Sequence, residues 1–498
     1  MEPVTRERLL PGLVVILAVT ISWGGFHWDI AWHGDVGRDT VFSPPHLLIM
    51  AGIVLGAAAC SLSLWGSGSL SESPGLVLAL VGFLMTGPVL AFDNFWHVIF
   101  GPDVTLWSPG HLFLIGMFLT PLMGAVLELN RAYGPRRRLL PFVLGVFLAC
   151  STLLLAEYEL GFPHYRLIWD PLVLALLFGF AVALGTSLGP GRWTATLIAI
   201  SALAVRGAGL ILNAVVERSL PIPPIGLLLG ALACDVIRMG LSRHARLNRY
   251  ANWLSLSGGW LVAFLFTAVS RPVMGKTWWP DAVVLPALLL SLLGLGLGGL
   301  AGSALGRRLT ARPPRISRGT AARILLTAFV VTDLLMWTAL PLLDRSDEQM
   351  TAQLEVRGST LRFVPEERVS SGDWVSIFGT GKSTAEAEWV AGLTPTPKGF
   401  VGSGRFSRES ITVWYLMGDG VWVGGAEPPF QGEIPLRYQV FRSAEAPPAW
   451  AMPASVAVIF TLSLLWLSVA FWAVRTTTSA HRSQNPGREV NGESVGGR

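Results

Sequence analysis

The chain contains repeated apolar runs of about 18–24 residues, and these runs restrict its fold more than any other feature. An α-helix of that length spans the hydrocarbon core of a bilayer. Only 14% of the 498 residues are charged, whereas soluble domains carry about a quarter. The sequence therefore predicts an all-α polytopic membrane protein with about twelve transmembrane helices, and the lipid bilayer is its first expected partner.

The predicted transmembrane helices lie at 10–27, 46–65, 75–94, 110–129, 139–157, 171–188, 194–213, 222–241, 253–270, 281–304, 320–342 and 452–474. With this list, the basic loop residues all fall on one side: Arg6, Arg8, Arg131, Arg136, Arg137, Arg138, Arg243, Arg246, Arg249, Arg307, Arg308, Arg312, Arg315 and Arg475. Basic loops face the cytoplasm, so both termini are predicted inside a multi-pass plasma-membrane protein. Because the basic residues are spread over short loops, they indicate topology and argue against a nucleic-acid partner.

Two segments of the first 130 residues match each other. The first copy reads Asp29-x3-His33, Gly37-Arg38-Asp39 and Ser43-Pro44-Pro45-His46. The second copy reads Asp93-x3-His97, Gly101-Pro102-Asp103 and Ser108-Pro109-Gly110-His111. The last histidine follows the first by 13 residues in one copy and by 14 in the other.

This spacing predicts a metal site in each helical hairpin. Aspartate and histidine at i and i+4 share one helix face, and Ser-Pro suits the start of the returning helix. Two histidines, one carboxylate and an open position suit copper, zinc or non-haem iron. Asp39, Asp103 and the loop backbone are candidates for holding the second ring nitrogen of a ligating histidine. The alternative is that these are interfacial polar residues retained by duplication, since Trp and other amphipathic side chains are common at the bilayer boundary.

These residues resemble the C subunit of particulate methane and ammonia monooxygenases over about residues 20–125. In that family the first site reads Asp-x3-His-x12-His in an Arg-Asp-Thr context, matched here by Asp29, His33, His46 and Arg38-Asp39-Thr40. The second family site reads Asn-x3-His-x13-His, and here Asp93 replaces the asparagine before His97 and His111. The resemblance implies copper at both sites, catalysis at Asp29, His33 and His46, a supporting role for Arg38, and partner membrane subunits.

The resemblance implies a copper-dependent monooxygenase-like subunit that oxidises a small substrate with dioxygen. Two alternatives stay open. One is a protein that acquires or transports copper or another divalent metal, and the other is a structural protein in which bound metals hold the two helices of each hairpin together. Transporters usually place ligands at the bilayer midplane. Here the predicted ligands lie at one surface, which favours the enzyme over the transporter.

The remaining chain divides into four predicted segments after the hairpin repeat of residues 1–130. Further transmembrane helices occupy 131–342, and an inserted extracytoplasmic β-sandwich-like domain occupies 343–450, where alternation as in Ile411–Tyr415 is typical of strands. That domain has no His or Cys, so it lacks the ligands of a cupredoxin-type copper centre. The last helix (451–475) and a disordered cytoplasmic tail (476–498) complete the chain.

Three charged residues fall inside apolar runs, namely Arg206, Asp235 and Asp333. Charges within the membrane are costly unless they are paired or face a cavity. We therefore expect Arg206 and Asp235 to form a structural pair, with a proton or substrate path as the alternative.

Overall fold

The structure is a computed structural model, and every structural statement below concerns the residues that it describes. These are 6–35, 43–67, 73–100, 106–133, 139–156, 158, 168–189, 191–216, 225–248, 250–274, 281–310, 349–357, 360–365, 374–380, 388–403, 410–417, 420–426, 435–441, 456–457, 460–461 and 464.

The described part of residues 1–310 is α-helical. Its helices are α1 (Arg6–Asp35), α2 (Pro44–Ser67), α3 (Pro74–Phe100), α4 (Pro109–Tyr133), α5 (Leu140–Ser151), α6 (Trp169–Leu188), α7 (Thr194–Val216), α8 (Gly226–Ser242), α9 (Ala245–Asn248), α10 (Ala251–Met274) and α11 (Asp281–Thr310). A 3₁₀ helix (Thr152–Leu155) follows α5 directly.

Seven of these helices are long and apolar enough to cross a membrane. Their candidate spans are Leu10–Asp29, Pro44–Gly66, Pro74–Asp93, Pro109–Asn130, Trp169–Leu188, Ala251–Ser270 and Val284–Thr310. Two shorter apolar helices cover Leu140–Leu155 and Thr194–Gly209. A multi-pass membrane protein is the class that these spans support.

The first ten predicted helices each overlap one described helix. The predicted helix at 320–342 lies outside the described residues, and so do the tail at 476–498 and most of the predicted helix at 452–474. The count of twelve therefore stays a prediction.

The helices pack through small residues that let two backbones approach closely. Along α11, Gly294, Gly298 and Gly302 recur every fourth residue, and a Cβ on any of them would lie closer than 3.0 Å to a carbonyl oxygen of α6. Small residues at this spacing are typical of helix pairs in membranes, where close backbone packing replaces the hydrophobic effect as the driving force. The hairpins α1–α2 and α3–α4 are also joined to each other, because Phe26 packs edge-to-face on Phe118 with ring centroids 5.4 Å apart.

Two buried carboxylates each hold the start of a neighbouring helix. Glu128 of α4 accepts the backbone N–H groups of Gly75 and Leu76 at 3.0 and 3.3 Å. Asp235 of α8 accepts those of Ala195 and Thr196 at 3.3 and 2.8 Å. The first N–H groups of a helix have no partner within it, so a carboxylate from the adjacent helix satisfies both hydrogen bonding and the helix dipole.

The expected pairing of Arg206 with Asp235 is wrong. Asp235 forms its ion pair with Arg238, one helical turn away, at 3.2 Å. Arg206 donates instead to the Thr152 hydroxyl at 2.6 Å, near the end of α5. The turn spacing on α8 lets Asp235 reach Arg238 and the start of α7 together, so its charge is balanced without Arg206. Asp333 lies outside the described residues.

The described part of residues 349–441 consists of strands. They are β1 (Gln349–Arg357), β2 (Thr360–Pro365), β3 (Trp374–Thr380), β4 (Glu388–Thr396), β5 (Gly399–Ser403), β6 (Ser410–Met417), β7 (Gly420–Ala426) and β8 (Pro435–Phe441). Their antiparallel pairings follow the order β1-β2-β5-β4-β3-β6-β7-β8 and close from β8 back to β1.

These pairings join the described strands into one closed sheet, whereas the sequence predicted a sandwich-like domain. Along β2 every second side chain is buried, including Leu361 and Phe363, as expected when one face of a sheet covers a core. Phe363 lies 6.2 Å from Phe400 of β5 between ring centroids. Gly399 opens β5 with φ 114°, a conformation that favours glycine.

Candidate metal centre

The first candidate site lies where α1 ends and α2 begins. Asp29 is the last residue of the span Leu10–Asp29, and His46 lies in the first turn of α2. That turn forms because Ser43 precedes Pro44 and its carbonyl accepts the N–H of Leu47 at 2.9 Å. Asp29 Oδ1 lies 3.1 Å from His46 Nε2, with side chains 14% and 26% exposed.

The second candidate site repeats this arrangement between α3 and α4. Asp93 ends the span Pro74–Asp93, and His111 lies in the first turn of α4. Ser108 caps that turn, since its hydroxyl accepts the N–H of His111 at 3.4 Å and its carbonyl accepts that of Leu112 at 2.9 Å. Asp93 Oδ2 lies 3.7 Å from His111 Nε2, with side chains 15% and 9% exposed.

Each hairpin reaches this geometry through a glycine, but on opposite helices. In the first hairpin Gly25 of α1 lies against α2, where an added Cβ would be 2.8 Å from the Ile49 nitrogen and 3.0 Å from the Pro45 oxygen. In the second hairpin Gly110 of α4 lies against Asp93, where an added Cβ would come closer than 3.0 Å to Oδ1. The two copies therefore bring aspartate and histidine together by different local packing.

The structure describes two of the three predicted side chains at each site. His33 lies in α1 and His97 in α3, each one helical turn beyond its aspartate, but their side chains are outside the described set. Arg38, Asp39 and Asp103 are also outside the described residues. Among the side chains that are described, no group of three or more His, Cys, Asp or Glu residues converges as a metal site. The full triads therefore stay a prediction.

The donor atoms that are described fit a small divalent metal ion. Asp29 and His46 would hold an ion at the first site, and Asp93 and His111 would hold one at the second, because carboxylate and imidazole groups are ligands of copper and zinc. All four side chains are largely shielded from solvent, as the ligands of a held ion are.

His27 is a buried imidazole two residues before Asp29 in α1. It contacts Trp23 with ring centroids 5.2 Å apart, and both residues are buried. They face α7 at Gly209, where a Cβ would be 2.7 Å from the Trp23 ring and 3.6 Å from His27 Cγ. The repeat does not predict this neighbour, because the second copy has Ala91 at the matching position.

Comparison of the chain with family models, curated proteins and solved structures found no match. The resemblance to the monooxygenase C subunit therefore rests on the motif residues quoted above.

Proposed function

We propose that this chain is a membrane copper protein in which each hairpin holds one metal ion. Asp29, His33 and His46 form the first site, and Asp93, His97 and His111 form the second. The observation that carries the proposal is the repeated Asp–His approach, 3.1 Å in one hairpin and 3.7 Å in the other. The two approaches involve different glycines, Gly25 in the first hairpin and Gly110 in the second. A packing arrangement that was merely kept after duplication would use the same glycine in both copies, so duplication alone is a poor explanation.

We further propose that the chain acts as a monooxygenase-like subunit, with partner membrane subunits completing the enzyme. Copper, when bound, would supply the redox chemistry by which dioxygen oxidises a small substrate. Asp29 contributes a charge that holds the ion, and His46 contributes a neutral nitrogen at the start of α2. The helical hairpin keeps both donors oriented while leaving a side open to substrate.

The position of the ligands along the helices favours this function over transport. Asp29 and Asp93 lie about two turns before the ends of α1 and α3, and His46 and His111 lie in the opening turns of α2 and α4. Transport sites usually lie near the bilayer midplane, where broken helices alternate between two accessible states. A site near the ends of the helices suits an enzyme that meets its substrate at the membrane surface.

Metal analysis of single-site variants tests the metal assignment. We expect the purified chain to bind about two copper ions, and His46→Ala and His111→Ala to bind about one each, because each change removes one ligand from one site. Electron paramagnetic resonance should show a different remaining signal in each variant. His244→Ala is the matched control, since His244 is exposed just beyond the end of α8. Copper content that is unchanged in both site variants would exclude the proposed sites.

Activity measurements divide the roles of the two sites. We expect His33→Ala to abolish substrate oxidation, whereas Asp93→Asn lowers it only partly. The second family site carries asparagine at this position, so Asp93→Asn restores a ligand set that the resemblance associates with copper, and part of the activity should remain. Full activity in a His33→Ala protein that retains its copper would refute the catalytic role of the first site.

The topology proposal places both termini in the cytoplasm and the 343–450 segment outside the cell. It is supported by exposed arginines at one end of the bundle, including Arg192, Arg243 and Arg308. Ser43→Cys and Ser371→Cys should both react with an impermeant thiol reagent added from outside. Labelling of one position without the other would contradict the helix count.

A further inference from the structure

A second polar site lies among four helices that the proposed metal sites do not use. A small cleft lies between α6, α8, α10 and α11 and opens to the outside of the bundle. Its polar lining includes Thr186, Arg238, Asn252 and Ser303, and Val182 and Leu256 add apolar walls. We call it the Arg238 cleft. It lies at the end of the bundle where α6, α8 and α11 finish and α10 begins.

Hydrogen bonds to other described residues engage only part of the Arg238 guanidinium. Its Nη2 donates to the carbonyls of Gly191 and Arg192 and to Asp235 Oδ1, which lies 3.2 Å away. Its Nε is buried and has no hydrogen-bond partner among the described residues. A buried charged donor without an acceptor is costly, and a planar guanidinium matches the paired oxygens of a phosphate. Nε itself has no exposed surface, so a ligand in the cleft would meet Nη1, which has no hydrogen-bond partner among the described residues of a side chain that is 13% exposed. This donor indicates an anionic ligand.

The charge of Asp235 does not neutralise this end of the bundle. Asp235 also accepts the N–H groups of Ala195 and Thr196, so the positive end of the α7 dipole already shares its charge. Further exposed arginines lie around the same end: Arg192, Arg243, Arg246, Arg307 and Arg308. The local potential is therefore positive, as a phosphate site requires.

Aromatic side chains indicate that the ligand comes from the membrane. Trp253 lines the cleft and is 39% exposed, and Trp193 and Tyr250 are exposed at the same end. Exposed Trp and Tyr at helix ends mark the head-group level of a bilayer. Basic pockets between transmembrane helices at this level bind lipid head groups. We infer that the Arg238 cleft binds the phosphate of an anionic phospholipid, with Arg238 as its principal donor.

Native mass spectrometry of the full chain tests this inference. The probes are phosphatidylglycerol and phosphatidylcholine with matched acyl chains, and inorganic phosphate alone. We expect the wild-type chain to retain phosphatidylglycerol at least about fivefold more than phosphatidylcholine, the change that one basic residue produces at an anionic surface. Arg238→Gln should remove that preference.

Because Arg238 also donates to the Gly191 and Arg192 carbonyls, a second variant separates binding from folding. Ser303→Leu fills the cleft from α11 and leaves Arg238 in place, and we expect it to lower phosphatidylglycerol retention about fivefold or more. Arg308→Gln is the control, since it removes one exposed charge of α11 outside the cleft lining, and we expect it to keep the preference. The thermal unfolding temperature of each variant confirms that it is folded.

Three results would overturn the inference. The first is equal retention of the two lipids by the wild-type chain. The second is undiminished phosphatidylglycerol retention in both Arg238→Gln and Ser303→Leu. The third is binding of inorganic phosphate at the cleft without any preference for phosphatidylglycerol, which would identify a soluble phosphate compound as the occupant.

Discussion

Replacing Gly110 with alanine should destroy the second site while leaving the first intact. The added Cβ would come closer than 3.0 Å to Asp93 Oδ1 and would lie 3.1 Å from Asp93 Cα. Ordinary contacts of a Cβ begin at 3.4 Å, so Oδ1 must move by at least about 0.4 Å. Metal–ligand bonds tolerate roughly 0.2 Å. The short distance to Asp93 Cα prevents relief by a side-chain rotation alone, so α3 and α4 must also separate.

The same change has a predictable cost in stability. Adding a methyl group to a packed helix interface costs about 1–3 kcal/mol. The intrinsic helix preference of alanine over glycine offsets about 1 kcal/mol of that cost. We therefore expect a small net loss of stability, which leaves the protein folded and its remaining metal site measurable.

Gly296→Ala in α11 is the matched control. Outside its own helix, no heavy atom of the described residues lies within 4 Å of a Cβ at Gly296, so this variant gains the same helix preference without the clash. After loading with Cu²⁺, copper per chain and the electron paramagnetic resonance spectrum would be measured for both variants. We expect about two ions in Gly296→Ala and about one in Gly110→Ala. Two ions with an unchanged spectrum in Gly110→Ala would refute the role of Asp93 as a ligand.

The packing of three other residues leads to further predictions. Gly25→Ala should lower copper at the first site only, because its Cβ would press on the Pro45 carbonyl, and metal analysis would show this. Asp235→Ala should lower the free energy of unfolding by about 3–5 kcal/mol, since it leaves Arg238 without its buried partner, and thermal unfolding in detergent would measure the loss. Glu128→Ala should cost less, about 1–2 kcal/mol, because it removes the carboxylate that caps the start of α3.

Each of these variants has an outcome that would contradict its prediction. Loss of both copper ions in Gly25→Ala would mean that the hairpins depend on each other. Equal losses of stability in the Asp235 and Glu128 variants would mean that the Asp235–Arg238 ion pair contributes no stability beyond that of a helix cap. Ser242→Ala is the control for both stability measurements, because the Ser242 hydroxyl donates to the Met239 carbonyl within its own exposed turn.

The sequence by itself determined the class of the protein and the positions of its first ten helices. Hydropathy and length are local properties, and a bilayer admits only segments that satisfy their own backbone hydrogen bonds. It also predicted that Asp29 would approach His46 and that Asp93 would approach His111. Both approaches depend on the aspartate lying about two turns before the end of one helix and on the next helix beginning at Ser-Pro, which are again local signals.

Contacts between helices that are distant in sequence were decided only by the tertiary structure. Arg206 and Asp235 look like natural partners because they are the opposite charges of neighbouring apolar runs. The helices instead rotate so that Asp235 reaches Arg238 and the start of α7, while Arg206 reaches Thr152. That rotation depends on where small residues allow two backbones to meet, and hydropathy carries no information about it.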